Sequence, residues 1–565
     1  MTPLPSLTLT ELFKRSIQQF AKSPALGYVS ERHFTYEEFG EQVKHCSDVL
    51  RDRGVAPGDR VAIIGESSPH WGIAYFAITT MGCVAVPILP DFHTSEIHHI
   101  IRHAECTAIF VSERLAAKLD DIDRTPFLAF ILLDTLSLVD EQTSGISLKQ
   151  LVSGGSRELR KVRSLAKQIV GLQHAIPEEN DLAAIIYTSG TTGHSKGVML
   201  THKNIVWNAQ ASYAIPPMVQ DDRLLSILPL AHVYECTLGL VLPILCGASI
   251  SYLRKPPTAA VLLPALLEVR PTIMLVVPLI IEKIYKTKVL PQIRKRLIGR
   301  MLSGIPYFRK KLHLLAGKKL KVTFGGSLKF FGIGGAALAP EVEQFLREAN
   351  FPYAIGFGMT ETSPLISGAS PRLQHFRSTG PVVPGLEVKI EHPDPNTKIG
   401  EIIVRGPNIM KGYYKDPERT AEVLSSDGWL RTGDLGFFDE AGHLAIRGRV
   451  KNVIVGPSGE NIYPEAIESI INRAEYVLES LVYEESRSLV ARVFLDYESL
   501  DQEAADSGET ESKTREHISK LLDDLKQSVN AQVAGFSKIS RMIEQEEPFE
   551  KTPTQKIKRY LYISK

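Results

Sequence analysis

The sequence predicts an α/β protein: a large N-terminal domain of α/β sheets with a small β subdomain, followed by a small α+β C-terminal domain. Three observations lead there. Strand-like runs such as Arg60-Val-Ala-Ile-Ile64 and Ala108-Ile-Phe-Val111 alternate with helix-like runs over 36–53 and 71–81, and the alternation resumes through 181–360. Alternation of that kind builds parallel sheets, because each parallel crossover needs a helix. Short strands dominate 378–446, punctuated by the turn pairs Pro384-Gly385, Asp427-Gly428 and Ala441-Gly442. Finally, 565 residues are too many for one hydrophobic core.

Beyond Arg449 the pattern changes to a helix over 464–473, strands over 477–483 and 489–495, and a helix over 515–533. The polar segment 501–513 reads as a loop. The boundary therefore falls at 448–451, giving domains 1–448 and 449–565. The apolar stretch 227–253 contains Pro229, His232, Glu235 and Pro243. It is a poor spanning helix and reads as core strand, turn and helix.

Composition narrows the class. With 44% hydrophobic and 23% charged residues the chain is an ordinary globular protein, and a net charge of +1 points to no polyanionic partner. Five cysteines stand singly in apolar surroundings without a C-x-x-C pair, as buried thiols in a reducing compartment do. Met1-Thr-Pro-Leu-Pro-Ser lacks the basic start and apolar stretch of a signal peptide, so a cytoplasmic location is expected. Charge is uneven: 283–321 holds thirteen Lys or Arg and no Asp or Glu, interleaved with Leu, Ile, Tyr and Phe. Such a segment suits an anionic membrane surface at the inner face, or equally a solvated helical face beside an acidic segment. No nucleic-acid motif accompanies it.

The most informative stretch is Tyr187-Thr-Ser-Gly-Thr-Thr-Gly-His-Ser-Lys-Gly197, which follows the apolar run Leu182-Ala-Ala-Ile-Ile186. Thr188, Ser189, Thr191 and Thr192 supply hydroxyl donors. Gly190, Gly193 and Gly197 let the backbone approach a ligand, and Lys196 brings positive charge. This is a loop for a polyphosphate. It is not a Walker A loop, in which Lys follows Gly directly and Ser or Thr comes next.

That order of residues resembles the phosphate loop of the adenylate-forming superfamily, which includes acyl-CoA synthetases, luciferases and peptide-synthetase adenylation domains. Further blocks in the family's order lie at 229–235, 334–340, 355–364, 428–440, 447–468 and 552–559. The resemblance implies two α/β sheets in the large domain and a mobile C-terminal domain. It also implies a two-step reaction. A carboxylate attacks the α-phosphorus of ATP to give acyl-AMP and pyrophosphate, and a thiol, usually that of coenzyme A, then takes the acyl group.

The resemblance carries residue roles with it. In Gly356-Phe-Gly-Met-Thr-Glu361, Phe357 stands where Tyr is commoner and would stack on adenine. Thr360 would donate to the α-phosphate, and Glu361 would hold Mg²⁺, a hard cation that prefers carboxylate oxygen. Gly335, Ala336 and Ala337 would wall the adenine, although tight helix–sheet packing explains any one of them equally well. Asp434 would accept from both ribose hydroxyls, Arg449 would touch the nucleotide, and Lys451 falls at the hinge within 449–451. Gly459 would meet coenzyme A. Lys556, preceded by Gln555 instead of the usual Gly, would bridge the substrate carboxylate and the α-phosphate.

Leu228-Pro-Leu-Ala-His-Val-Tyr-Glu235 resembles the block of long-chain acyl-CoA synthetases and lacks the Asp that amino-acid-activating domains need. His232 would border the acyl site, flanked by Tyr234 and Glu235, or else serve structurally. Cys236 stands where some long-chain members have a gating Trp. The resemblance thus implies an ATP- and Mg²⁺-dependent fatty-acid–CoA ligase. Transfer to an acyl carrier protein is the nearest alternative, and a non-catalytic nucleotide- or acyl-binding regulator is the alternative from another class.

Overall fold

The structure is a computed structural model. It describes residues 4–123, 126–139, 176–188, 195–216, 218–294, 306–456, 460–474, 476–497, 500–501, 511–552 and 556–563. By packing, the chain forms two units. One comprises 1–338, 344–388 and 404–430, and the other 339–343, 389–403 and 431–565.

Among the described residues the first unit contains two large sheets, with the strands that follow. One has eight strands, ordered Gly412–Tyr413, Lys196–Thr201, Leu182–Thr188, Val84–Ile88, Arg60–Ile64, Cys106–Val111, Ala129–Leu132, Ser137–Leu138. Its centre is parallel and largely apolar: Val84–Ile88 and Cys106–Val111 are buried at every position, as strands covered on both faces must be. The other has seven strands, ordered Tyr353–Ile355, Phe330–Ile333, Ile273–Val276, Arg223–Ser226, Ser249–Tyr252, Pro24–Tyr28, Phe34–Thr35, and is parallel except for its last pair.

Helices cover these sheets where the sequence supplies caps. Thr35 and Glu38 form a capping box for Tyr36–Asp52. Pro69–Thr80 begins with Pro after a Ser68 cap and is buried nearly all round, which is why its apolar residues show no amphipathic stripe. Phe13, Phe39 and Phe76 lock three helices together, with Phe13 and Phe76 stacked at 4.7 Å.

The stretch 227–253 departs from the sequence reading. A loop follows the strand Arg223–Ser226, then a π-helix, Glu235–Val241, runs straight into Leu242–Cys246, and the second strand is Ser249–Tyr252. Gly247 ends the helix in the left-handed region at φ +79°, and only glycine fits there because a side chain would meet the Phe20 ring.

The second unit carries a four-stranded sheet, ordered Glu387–Glu391, Gly400–Arg405, Leu430–Phe438, Leu444–Arg449. It also has a three-stranded sheet in which Val477–Glu485 runs antiparallel, and Ile539–Gln545 parallel, to Ser488–Leu495. Pro464–Ile471 and Glu511–Asn530 accompany the latter, around a core that includes Ile467, Ile471, Val482, Val493 and Val529. The second helix begins inside the stretch read as loop.

Candidate functional site

The phosphate-loop candidates sit at a hairpin mouth. Leu182–Thr188 pairs antiparallel with Lys196–Thr201, and the last register pair is Thr188 opposite Lys196. Both ends of the loop are therefore pinned to a buried sheet. Ser189, Gly190, Thr191, Thr192 and Gly193 lie outside the described residues.

Beside this mouth lies the Thr-Glu motif. Thr360–Thr362 is a single 3₁₀ turn, and Thr360 and Glu361 are buried. Two buried asparagines clamp it. Asn208 and Asn408 each donate to the carbonyls of Thr362 and Leu365, and Asn208 Oδ1 accepts from Leu365 N at 3.2 Å. Gly358 is required before the turn because a Cβ there would lie 1.9 Å from Pro364 O. Phe357 is half-buried on the short strand Phe357–Gly358. Glu361 Oε1 accepts from the Tyr413 hydroxyl at 2.8 Å, and Lys196 Nζ lies 4.9 Å from the centre of the same ring. Thr360, Glu361 and Lys196 are thus brought to one neighbourhood, where Tyr413 touches both Glu361 and Lys196.

Next to the motif is an apolar cavity that opens to solvent. Parallel register explains its floor. Leu275 pairs with Gly332 and Gly332 with Ala354, so the three share one face of the sheet, and all line the cavity. Gly332 leaves the space: a Cβ there would sit 2.8 Å from Phe330 and 2.9 Å from Leu275. Tyr234, Leu238 and Leu242 form another wall, and among the described residues the lining contains no carboxylate.

The segment before the π-helix orients the polar edge. His232 Nδ1 accepts from Tyr234 N at 3.2 Å, which assigns the ring proton of the neutral imidazole to Nε2. Tyr234 packs on Gly334, where a Cβ would come 3.2 Å from its ring. Just beyond, Gly335 adopts φ +87°, and Gly335, Ala336 and Ala337 are exposed at the end of their strand. Glu235 is buried behind, and burial pushes its carboxyl up to about 8. Cys236 is likewise buried, its thiol pushed up to about 12, so it is unreactive near neutral pH.

In the second unit, Asp434 and Arg449 are cross-strand partners, with Arg449 Nε 3.0 Å from Asp434 Oδ1. Two residues that the sequence placed on the nucleotide thus stand side by side. Lys451 is exposed in the 3₁₀ turn Val450–Asn452, which buries no residue. Lys556 is exposed on a small loop closed by the Lys551–Ile557 bridge and by Thr552 N donating to Lys556 O at 2.8 Å. Arg559 anchors that loop on buried Glu468, at 2.7 and 3.1 Å. Gly459 lies outside the described residues.

Sequence reasoning missed Tyr413, Asn208, Asn408 and Arg559. For Tyr413 the only sequence signal is the Lys411-Gly-Tyr-Tyr-Lys415 run, apolar and small between two cations.

The fold and this arrangement define a nucleotide-handling α/β enzyme class, and comparison with known proteins identifies it. The pattern of the AMP-binding enzyme family matches residues 13–414, and the chain belongs to that family. Among its relatives, the peroxisomal long chain acyl-CoA synthetase 7 of Arabidopsis thaliana is 31% identical over 601 aligned positions, covering 98% of this chain and 84% of the relative. The human long-chain-fatty-acid–CoA ligase 1 is 30% identical, covering 87% and 74%. Among solved structures, the O-succinylbenzoate coenzyme A synthetase of Bacillus subtilis, in complex with ATP and magnesium ion, superposes with a TM-score of 0.73 at 21% identity. It covers 97% of this chain and 98% of that one, which bears out the two-sheet fold.

Proposed function

We propose that the protein is an ATP-dependent fatty-acid–CoA ligase of the long-chain type, with acyl-AMP as intermediate and acyl-CoA, AMP and pyrophosphate as products. The observation that carries this reading is the apolar, carboxylate-free cavity beside the Thr360-Glu361 turn. An aliphatic acid offers a wall only apolar surface, at roughly 0.8 kcal/mol per buried CH₂. Family membership and relatives that carry long-chain names support the same substrate class.

The residues divide the work by chemistry. The hairpin loop, from Thr188 through Ser189, Gly190, Thr191, Thr192 and Gly193 to Lys196, receives the outer phosphates. Phe357 and the exposed backbone at Gly335, Ala336 and Ala337 take the adenine, Asp434 the ribose, and Arg449 the adjoining nucleotide edge. Thr360 donates to the α-phosphate and His232 borders the acyl carboxylate. Glu361 fits Mg²⁺: its buried side chain offers a carboxylate oxygen to a hard cation, and its Oε1 accepts from the Tyr413 hydroxyl. When bound, the cation neutralises phosphate charge. Lys556 meets the reacting carboxylate and α-phosphate and offsets their mutual repulsion. Domains 1–448 and 449–565 turn about 449–451, with Lys451 as hinge, so that Gly459 and its loop meet coenzyme A in the second half-reaction.

Residues 283–321 rest on an anionic membrane surface from which the acid is drawn. The exposed stripe of Pro306–Thr323 supports this, since Tyr307, Lys311, Leu315, Lys318 and Val322 follow one another at helical spacing. Among the described residues no helix is long and apolar enough to cross a membrane. The test of the activity is pyrophosphate release over saturated fatty acids of graded length, with aryl and amino acids as controls. Coenzyme A is then replaced by acyl carrier protein. Release only with aryl or amino acids, or product only on the carrier protein, would overturn the assignment.

A further inference from the structure

The cavity wall that carries Tyr234, Leu238 and Leu242 is built on the π-helix Glu235–Val241, in which Leu242 N donates to Thr237 O five residues back. The widened turn has a geometric consequence. In an α-helix, at 3.6 residues per turn, residues four apart drift by about 40° at each step, so Tyr234 and Leu242 would stand about 80° apart. A π-helical turn holds more residues and takes that drift out. Rows of residues four apart therefore run straight, and each row keeps one neighbour. Tyr234, Leu238 and Leu242 face the cavity. Cys236 stands beside Tyr75 and Leu240 against Gly72, both on Pro69–Thr80. Glu235 and Gly239 form the third row.

That third row ties the wall to the cavity floor. Glu235 is only 2% exposed, and its Oε1 accepts from the Ser226 hydroxyl at 2.6 Å. Leu224 pairs with Ile273 in parallel register, so Ser226 and Leu275, each two residues further on, project from the same face of the sheet. Leu275 belongs to the row that continues through Gly332 and Ala354 along the floor. The same carboxyl lies across the π-helical turn. A Cβ at Gly239 would come 2.6 Å from Glu235 Cδ and 2.7 Å from its Oε1, so the absent side chain is what makes room for it. The turn from 235 to 239 is thus pinned to the sheet at its first residue and shaped around that residue's side chain at its last.

We propose that Glu235 is a positioning residue for acyl-chain selection: pinned to Ser226 and seated against Gly239, it holds the π-helical register that keeps Tyr234, Leu238 and Leu242 in one wall of the cavity. This rests on the fatty-acid reading above, and the experiment separates the two.

Pyrophosphate release by the full-length chain over saturated fatty acids of graded length gives kcat/KM for each acid, and KM for ATP is read with the best acid. Glu235→Gln keeps the side chain's length and an oxygen that accepts from Ser226, so its chain-length profile should match that of the wild type. In Glu235→Ala the register is released and the wall yields. Acids two carbons longer than the wild-type optimum should gain about fourfold or more relative to it, the worth of one buried CH₂ or more, while KM for ATP stays within about twofold. Ser226→Ala deletes one hydroxyl and should change the profile in the same direction, so it carries the test if Glu235→Ala fails to fold. Profiles unchanged in both alanine variants, with fatty-acid activity intact in the wild type, overturn this proposal alone. So does a uniform loss for every acid accompanied by an equal rise in KM for ATP, which marks a general weakening of the fold. Wild-type protein that releases no pyrophosphate with any fatty acid overturns the fatty-acid reading and this proposal with it.

Discussion

The Ser226 hydroxyl donates to Glu235 Oε1 at 2.6 Å behind the wall that carries His232 and Tyr234. Gly239, on the next π-helical turn, leaves the space that this carboxyl fills, since a Cβ there would lie 2.6 Å from Glu235 Cδ. Burial is the main cause of its raised pKa, about 8 against an ordinary 4.5, and the Ser226 bond opposes the rise. A group whose folded pKa is raised stabilises the fold fully below its unfolded pKa, and that contribution is lost as pH rises through the folded value. The window here is pH 4.5 to 8. Glu235→Gln, isosteric and uncharged, should leave the melting temperature at pH 5 nearly unchanged. At pH 8.5 it should raise it by several degrees, as expected when a penalty on the order of a few kcal/mol is removed. Parallel melting curves for the two proteins across this range would show that Glu235 does not remain protonated in the folded state.

The cavity floor offers a direct test of the acyl assignment. Ala354 lines the cavity in register with Gly332, so Ala354→Leu projects three further carbons into the same space. Catalytic efficiency of the wild type should climb by up to about fourfold per CH₂ until the cavity is filled. The variant should peak two to four carbons earlier, about the number its added carbons displace, with activity on the shortest acids preserved. Pyrophosphate release across the graded series reads both numbers. An optimum that does not move would place the alkyl chain elsewhere.

Lys556 separates the half-reactions. It is exposed on a closed loop whose anchor, Arg559 on Glu468, does not involve its side chain. Lys556→Ala should therefore fold normally. It should reduce carboxylate-dependent ATP–pyrophosphate exchange by at least about 10³-fold, the scale of losing a preorganised charge at the reacting centre. Thioester formation from supplied acyl-AMP should stay within a few-fold of wild type. Equal loss in both assays would contradict the assigned role.

What was legible in the sequence was whatever lies contiguous in the chain. The loop from Thr188 to Lys196 and the Thr360-Glu361 turn could be read because their glycines, hydroxyls and charges are neighbours. Tyr413 could not. It is 52 residues from Glu361, and tertiary pairing, of its edge strand with Lys196–Thr201 and of Met410 N with Glu361 O, joins the three. The cavity was hidden for the same reason: Leu275, Gly332 and Ala354 each read as anonymous strand core until parallel register aligns them. The π-helix was missed because an extra residue per turn leaves little mark on composition. The loop read over 501–513 shows the opposite error, since a polar segment can still begin a helix, here at Glu511, whose later turns bury Leu522, Leu525 and Val529.

The basic segment yields the last expectation. On Pro306–Thr323 the exposed apolar residues are substantial, with Tyr307, Leu315 and Val322 at 63%, 61% and 65% exposure, and lysines stand among them. Lys311 lies over the Tyr307 ring at 4.5 Å, so charge and apolar surface share one patch. A merely solvated face would not need those apolar groups, whereas a helix lying at a lipid interface uses both. Each lysine near an anionic leaflet contributes about 1 kcal/mol, so three reversals remove several-fold more binding than charge neutralisation alone. The wild type should float with vesicles rich in phosphatidylserine and lose part of that binding at high salt. Lys311→Glu, Lys318→Glu and Lys319→Glu together should abolish flotation and leave pyrophosphate release from micelle-free short acids unchanged. Leu315→Ser should weaken the salt-resistant fraction. Flotation identical in wild type and triple variant would mean that this stripe does not meet the lipid.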